Sequence, residues 1–474
     1  MKQILKLWSL NKQNQWILKF GISVLVVGLA FRLLFSQSTT RFEPELEAAS
    51  SSSYITARTY LPVSPPPASV EMSEPSSDAA VDNLPVPPPA PQPSSSAAAA
   101  ETSKSTMSID GRPDPDENEA PDDGKCNLLV GDWVPEPSGP MYTNATCRLI
   151  DGHQNCMKNG RPDSGYLYWK WKPRRCELPA FDAQRFLELM RNKVWGLIGD
   201  SISRNHVESL LCMLSTVEEA VEVYHDKDYR SKTWSFPSYN FTVANIWAPF
   251  LVEAAIFEDY NGVSTSEVQL QLDKLDKSWV DAYPSFDYAI ISTGKWFLKA
   301  AVYHENNTVV GCHICPAGKN FTETGFVFAY EKALGFAMNS ILQSKHKGQI
   351  FFRTSTPDHF QDGEWHNGGT CRQTAPVKAG EFELKEVNKI LRKVELAEFE
   401  KVSAKAAESG VNFKLIDFTN LLLTRPDGHP DAYRNFQPFA KDKNATVQKD
   451  CLHWCLPGPI DYLNDVLMEM VVNG

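Results

Sequence analysis

A chain of 474 residues with a formal net charge of −11 exceeds one ordinary domain and is too acidic for nucleic-acid recognition, which needs clustered Lys and Arg against phosphate. Pro, Ser and Ala dominate the first quarter, so the foldable part is shorter than the total. One large globular domain is expected, acting on a neutral substrate.

The chain opens with a membrane signal. Trp16 to Phe35 is apolar apart from Lys19 and Arg32, and Lys2, Lys6, Lys12 and Lys19 precede or open it. Positive charge stays on the cytosolic side. This predicts a cytosolic tail over 1–15, a signal-anchor helix over 16–35 and a lumenal remainder, with Lys19 and Arg32 snorkelling to extend the span. The competing reading is a cleaved signal peptide, with the short uncharged core Phe20 to Phe31 followed by Ser36 and Ser38 as small residues of a cleavage site. Either way the chain enters the secretory pathway. Residues 36–124 hold Ser64-Pro65-Pro66-Pro67, Pro87-Pro88-Pro89 and an acidic run from Asp114 to Asp123. Such a segment cannot bury a core and reads as an extended, partly stiff stem.

All ten cysteines fall between Cys126 and Cys455. An even set confined to the folded part of an exported chain implies disulfides. The rival is zinc, suggested by Cys312-x-x-Cys315 around His313 and by Cys451 and Cys455 flanking His453. Those spacings match no standard zinc knuckle, so no metal is expected; the pairing itself stays open. Sequons at Asn144, Asn240, Asn306, Asn320 and Asn444 mark expected glycan-bearing surface loops.

The catalytic part is expected over 125–474, as a Cys- and Trp-rich cap (125–180) and an α/β core (181–474). Cap tryptophans such as Trp169 and Trp171 could stack on sugar rings or simply pack. Beyond Phe181, apolar spacing predicts a helix over Phe181 to Asn192, a strand over Val194 to Ile198 and a helix over Ser203 to Leu214. Tyr288 to Ser292 reads as a buried strand, Phe326 to Gln343 as helix and Gln349 to Arg353 as strand. Phe382 to Ser409 reads as a long helix, Phe413 to Asp417 as strand and Ile460 to Val472 as a closing helix. The alternation implies a parallel sheet with helices on both faces.

In such a sheet the loops beyond the strand ends converge. They would bring Gly199-Asp200-Ser201 to Asp450-Cys451-Leu452-His453. A serine hydroxyl is a weak nucleophile until an imidazole takes its proton, and a carboxylate must fix the tautomer of that imidazole. The three-residue spacing of Asp450 and His453 lets both side chains lie on one side of a turn. The candidate nucleophile, orienting acid and base are therefore Ser201, Asp450 and His453.

Oxyanion donors could come from the Ser201 backbone, from the backbone near Gly294, or from the Asn205 amide or Arg204. Arg204 and Asn205 have a competing role as helix-surface or ion-pairing residues, and Lys295 is expected in solvent. Trp296, Arg353, Trp365 and Asn367 are substrate-binding candidates on the strand-end loops. His359 and His366 are rival bases, with no carboxylate spaced as well as Asp450.

Gly199-Asp200-Ser201 with Ser203-Arg204-Asn205, the run Asp450 to Gly458, and Asn159-Gly160-Arg161-Pro162-Asp163 together resemble the plant trichome birefringence-like proteins, over Cys126 to the C-terminus. The resemblance implies an SGNH (GDSL)-like esterase fold and a Golgi polysaccharide O-acetyltransferase, anchored as a single-pass type II protein. Val194 to Leu214, Tyr288 to Phe297 and Arg353 to Cys371 look most like the branch related to xyloglucan acetylation. It further implies no bound cofactor, an acetyl donor such as acetyl-CoA or a membrane-delivered acetyl group, and a membrane partner supplying it. One departure stands out. Many relatives have Asn-Thr-Gly-His where this chain has Ser292-Thr293-Gly294-Lys295, so an oxyanion or acceptor contact from Asn and His is not carried over. An acetyl esterase and a non-catalytic polysaccharide binder are the competing functions.

Overall fold

The computed structural model describes residues 126–258, 264–344 and 346–473. The cytosolic tail, anchor and stem expected over 1–124 lie outside the described residues, among which no helix is long and apolar enough to cross a membrane.

The strands run in chain order as β1 (Gly131–Pro135), β2 (Trp169–Pro173), β3 (Val194–Gly199), β4 (Val221–His225), β5 (Lys232–Phe236), β6 (Phe241–Trp247), β7 (Val252–Ala255) and β8 (Val268–Leu275). They continue as β9 (Tyr288–Ser292), β10 (Ala301–Glu305), β11 (Thr308–His313), β12 (Gln349–Arg353) and β13 (Phe413–Ile416). The principal helices are α1 (Ala183–Leu189), α2 (Ser201–Leu214), α3 (Lys277–Val280), α4 (Gly325–Gln343), α5 (Glu386–Ser409), α6 (Thr419–Leu423) and α7 (Tyr462–Asn473).

The central sheet has the order β13-β12-β9-β3-β6-β5-β4. Its first five strands pair in parallel. Period-two alternation divides their side chains between two cores. Trp195, Leu197, Ile290 and Phe351 pack with Val207, Leu211 and Leu463 of α2 and α7. Ile198, Ala289, Ile291, Ile350 and Phe352 pack on the other face with Ala333, Leu334 and Leu391 of α4 and α5. Because both faces are covered, these strands read in sequence as continuous apolar runs.

The expected sheet was too simple in two respects. β5 and β4 join it antiparallel, and a second sheet of order β11-β10-β8-β7 packs its Val268, Leu270 and Leu272 into the second core. Every residue of β4 is exposed, so that strand has no buried face to announce it.

In the cap, β1 and β2 form an antiparallel ribbon stapled by Cys126–Cys176. Cys147–Cys212 ties the cap to α2 and Cys156–Cys455 ties it to the C-terminal loop; the remaining pairs are Cys312–Cys315 and Cys371–Cys451. All ten cysteines are thus in disulfides, including those in the two spacings that suggested zinc. Trp133 donates Nε1–H to Leu421 O at 3.0 Å and Trp171 to Leu128 O at 2.8 Å, so packing accounts for both rings. Among the sequons, Asn240, Asn306, Asn320 and Asn444 are exposed and Asn144 is half-buried.

The second core encloses an acid. Glu395 of α5 is fully buried; Oε1 accepts Tyr330 Oη–H at 2.7 Å and Ser355 N–H at 3.1 Å, while Oε2 has no partner among the described residues. Burial pushes its pKa up to about 7. Below the unfolded value both states hold the proton and the group is neutral to stability. As pH rises toward 7 the unfolded chain ionises while the folded one does not, and stability falls. A shift of this size corresponds to roughly 3 kcal/mol. Glu395→Gln should therefore flatten the decline in thermal midpoint between pH 5 and pH 8; an unchanged slope would refute the assignment.

Candidate active site

Ser201 is placed by the turn from β3 into α2. Gly199 pairs with Ser292 across the sheet, and a Cβ there would stand 1.9 Å from Ser292 O and 2.6 Å from Ser203 Oγ. Only glycine fits this approach. Asp200 then caps the helix, its Oδ1 accepting Ile202 N–H at 3.0 Å. Ser201 thereby becomes the first helical residue, at the end where backbone N–H groups lack intrahelical acceptors and the dipole favours negative charge.

The other two groups come from one turn. Asp450 Oδ1 accepts the backbone N–H of Leu452 at 3.1 Å and of His453 at 3.0 Å, closing the turn on its own side chain. Its Oδ2 lies 2.8 Å from His453 Nδ1, and His453 Nε2 lies 2.8 Å from Ser201 Oγ. The residues 252 positions apart thus meet at hydrogen-bond distance, in the order nucleophile, ring, carboxylate. Burial would raise the Asp450 carboxyl, but the His453 charge, the His453 hydrogen bond and Arg434 overcome it and hold the group well below the usual carboxylate range. It stays ionised whenever the ring needs an acceptor.

Several supports were not foreseen from sequence. Arg434 donates Nη1–H to Asp450 Oδ2 at 2.8 Å, and His429 Nδ1 lies 2.7 Å from the His453 carbonyl oxygen. Cys371–Cys451 and Cys156–Cys455 bracket His453 on either side. The Asn159-to-Asp163 segment holds the strip that carries His429 and Arg434. Asn159 Nδ2 donates to Tyr433 O at 2.8 Å, and Arg161 donates to His429 O at 2.8 Å and Asp427 O at 2.7 Å while forking onto Asp163. The Asn159-to-Asp163 motif had marked its own segment, and the signal for His429 and Arg434 was the density of Asp, His and Arg in an otherwise irregular loop.

Some candidates are assigned differently by the structure. Asn205 is buried and clamps Trp454, accepting its N–H at 2.8 Å and donating to its carbonyl at 3.2 Å; it anchors the His453 turn. Arg204 lies 3.9 Å from Glu208 along α2, the ion-pairing alternative. Gly294 lies two residues past the Gly199–Ser292 pair, with Ser355, Tyr330 and Glu395 as its neighbours.

Lys295 is not in solvent. Its Nζ donates to Asp358 Oδ2 at 2.6 Å and to Asn388 Oδ1, because the 353–371 loop folds its acid inward between Lys295 and Lys385. Arg353 is 1% exposed, and its Nη2 reaches Ser203 Oγ at 3.5 Å. It lies beneath the nucleophile turn, out of reach of a substrate. Trp296 is half-buried against Trp247 and Phe250. Asn367 Oδ1 accepts Glu364 N–H and closes its own turn. Trp365, 58% exposed, remains available to a ligand.

The rival bases separate clearly. His359 is buried with Nδ1 2.7 Å from His429 Nε2 and Nε2 2.9 Å from Leu423 O, and burial pushes it down to about 4. Both ring nitrogens are engaged away from Ser201. His366 is exposed beside Trp365.

A serine delivered by a strand end onto a helix N-terminus, faced by an Asp-x-x-His turn, is the arrangement of an acyltransferase or esterase on a mixed α/β fold. Residues 178–470 match the PC-Esterase model, a GDSL/SGNH-like acyl-esterase family found in Pmr5 and Cas1p, and residues 124–177 match the PMR5 N-terminal domain. The chain is 65% identical over 351 residues to protein trichome birefringence-like 23 of Arabidopsis thaliana, covering 74% of this chain and 81% of that one. It is 46% identical to trichome birefringence-like 25 of the same plant, over 98% and 94% of the two chains. Xyloglucan O-acetyltransferase 1 of Arabidopsis thaliana is 40% identical over 74% of this chain and 81% of its own length. The chain belongs to the PC-Esterase family, among the trichome birefringence-like proteins.

Proposed function

We propose that the protein is a Golgi O-acetyltransferase that moves an acetyl group through an acyl-serine to a hydroxyl of a wall polysaccharide, with xyloglucan the first acceptor to test. The Ser201–His453–Asp450 chain of 2.8 Å contacts is the observation that carries this reading. Ser201 Oγ attacks the acetyl carbonyl of a donor as His453 Nε2 takes its proton, and that proton then leaves with the donor's leaving group. The acceptor hydroxyl next passes its proton to His453 Nε2 while its oxygen attacks the acyl carbonyl. The Ser201–acetyl bond breaks, and Ser201 recovers the proton from the ring. The Ser201 N–H, at the α2 N-terminus, is the oxyanion donor supported best.

The acceptor reading is supported by the 40% identity to two proteins named xyloglucan O-acetyltransferase 1. The Golgi location, type II anchoring and an acetyl-delivering membrane partner are supported by the apolar stretch and flanking lysines of the first 35 residues together with the family. The donor is acetyl-CoA or an acetyl group delivered through the membrane.

The test is mass spectrometry of the protein with an acetyl donor and separate xyloglucan, xylan, glucomannan and pectin oligosaccharides. A product one acetyl heavier is expected, with an acetyl adduct on Ser201 and neither in Ser201→Ala. Transfer to another polymer alone overturns the xyloglucan assignment, and release of acetate without transfer overturns the transferase reading in favour of an esterase. Turnover retained by Ser201→Ala overturns the acyl-serine.

A further inference from the structure

Between the cap and the first turn of α7 lies a cavity of about 500 Å³, within the roughly 300–1,000 Å³ range of small-ligand sites. None of Ser201, Asp450 and His453 lines it. Its walls include Trp169, Tyr142, Tyr166 and Tyr462, and its floor carries Asp461 and Asp465, four residues apart on one helical face.

The two acids differ in how folding satisfies them. Asp461 accepts Tyr142 Oη–H at 2.8 Å, Ser209 Oγ–H at 2.5 Å and Gly458 N–H at 2.9 Å. Asp465 is 8% exposed, and its Oδ1 accepts Phe181 N–H at 3.1 Å. Burial, with the Asp461 charge adding to it, pushes the Asp465 carboxyl well above the usual range. Among the described residues three cations line the cavity: Arg425 is committed to Asp427 at 2.8 Å and to Tyr166 O at 2.6 Å, Lys170 pairs with Glu136 at 2.7 Å and Lys172 with Glu177 at 3.7 Å. A buried carboxyl with so few donors calls for donors from outside the fold. Aromatic faces beside such an acceptor suit a sugar ring, which offers an apolar C–H face and a rim of hydroxyl donors. Each lining cation is already paired with an acid, so the cavity offers an anionic uronate polymer no free counter-charge.

We infer that this cavity is a second glycan site, binding a neutral oligosaccharide segment of the acceptor polymer by stacking on Trp169 and by hydroxyl donation to Asp465. The inference rests on the reading of the protein as a polysaccharide-modifying enzyme, and its test reads binding apart from acyl transfer.

The experiment titrates the full chain with a xyloglucan oligosaccharide, a manno-oligosaccharide and an oligogalacturonide by calorimetry, comparing wild type with Asp465→Asn and Trp169→Ala. A neutral oligosaccharide should bind better than the oligogalacturonide, and Asp465→Asn should weaken it about fivefold, the loss of one neutral hydrogen bond, because an amide NH2 cannot accept a sugar hydroxyl as the protonated carboxyl oxygen does. Asn keeps the acceptor for Phe181 N–H and removes a buried ionisable group. Its thermal midpoint at pH 7 should therefore hold or rise while affinity falls, a combination that a purely structural role does not produce. Trp169→Ala should weaken binding at least comparably. Unchanged affinity in Asp465→Asn, preference for the oligogalacturonide, or no neutral-glycan binding by wild type overturns the site. The Ser201 adduct, measured in the same proteins, should form equally in wild type and both variants; its absence throughout defeats the acyl-transfer reading and leaves the binding result standing.

Discussion

Asp450→Asn should lower the turnover of acetyl transfer by about 10,000-fold and also lower the thermal midpoint at neutral pH, because the ionised carboxylate is stabilised by Arg434 and His453. The reason is a conflict of donors. Asp450 Oδ1 faces two backbone N–H groups that cannot move, those of Leu452 and His453. An asparagine must keep its carbonyl oxygen there, which turns its NH2 toward His453 Nδ1. The ring answers by moving its own proton to Nε2, where it faces Ser201 Oγ as a donor and can no longer accept the hydroxyl proton. Arg434, 27% exposed at its side chain, swings toward solvent to avoid the new NH2. The geometry survives and the tautomer is wrong. Turnover measured below the variant's own midpoint, with the Ser201 adduct as a second readout, decides the point: a loss under tenfold in the folded protein would show that Asp450 does not orient the ring.

Much of the site was legible before the fold was known, for a physical reason. Ser201 follows a two-sided buried strand, and such strands announce themselves as apolar runs; Val194–Gly199, Tyr288–Ser292 and Gln349–Arg353 were read within a residue of their bounds. Asp450 and His453 are three residues apart, so their partnership is local and visible. What escaped was set by tertiary approach. Arg353 is a charged residue at a strand end, where a sequence suggests a binding role, yet the chain buries it under Ser203. Lys295 looked solvent-bound because its partner Asp358 lies 63 residues away. The strand Val268–Leu275 carries a period-two alternation, with Val268, Leu270 and Leu272 buried in turn, a pattern of half-buried strands that a parallel α/β alternation does not include.

Arg161 shows how far the support of the site extends into the cap. Its guanidinium forks onto Asp163, donates to the carbonyls of His429 and Asp427, and covers the Tyr166 ring at 4.1 Å. The side chain is 7% exposed, so deleting it leaves two carbonyls without their donor where water reaches poorly, while the Asp163 carboxylate, 33% exposed, turns to solvent. A buried acceptor left unpaired costs about 1–3 kcal/mol, and with the His429 and Asp427 carbonyls stranded Arg161→Ala should lose about 2–4 kcal/mol in chemical denaturation. The same strip holds Arg434 against Asp450 and His429 against the His453 carbonyl. Turnover should therefore fall even at temperatures where the variant is fully folded. Arg161→Lys keeps the charge but is a point donor without the planar fork; it should restore part of the stability and less of the turnover. If Arg161→Ala costs under 1 kcal/mol, or leaves turnover of the folded protein intact, the cap plays no part in holding the Asp450–His453 turn.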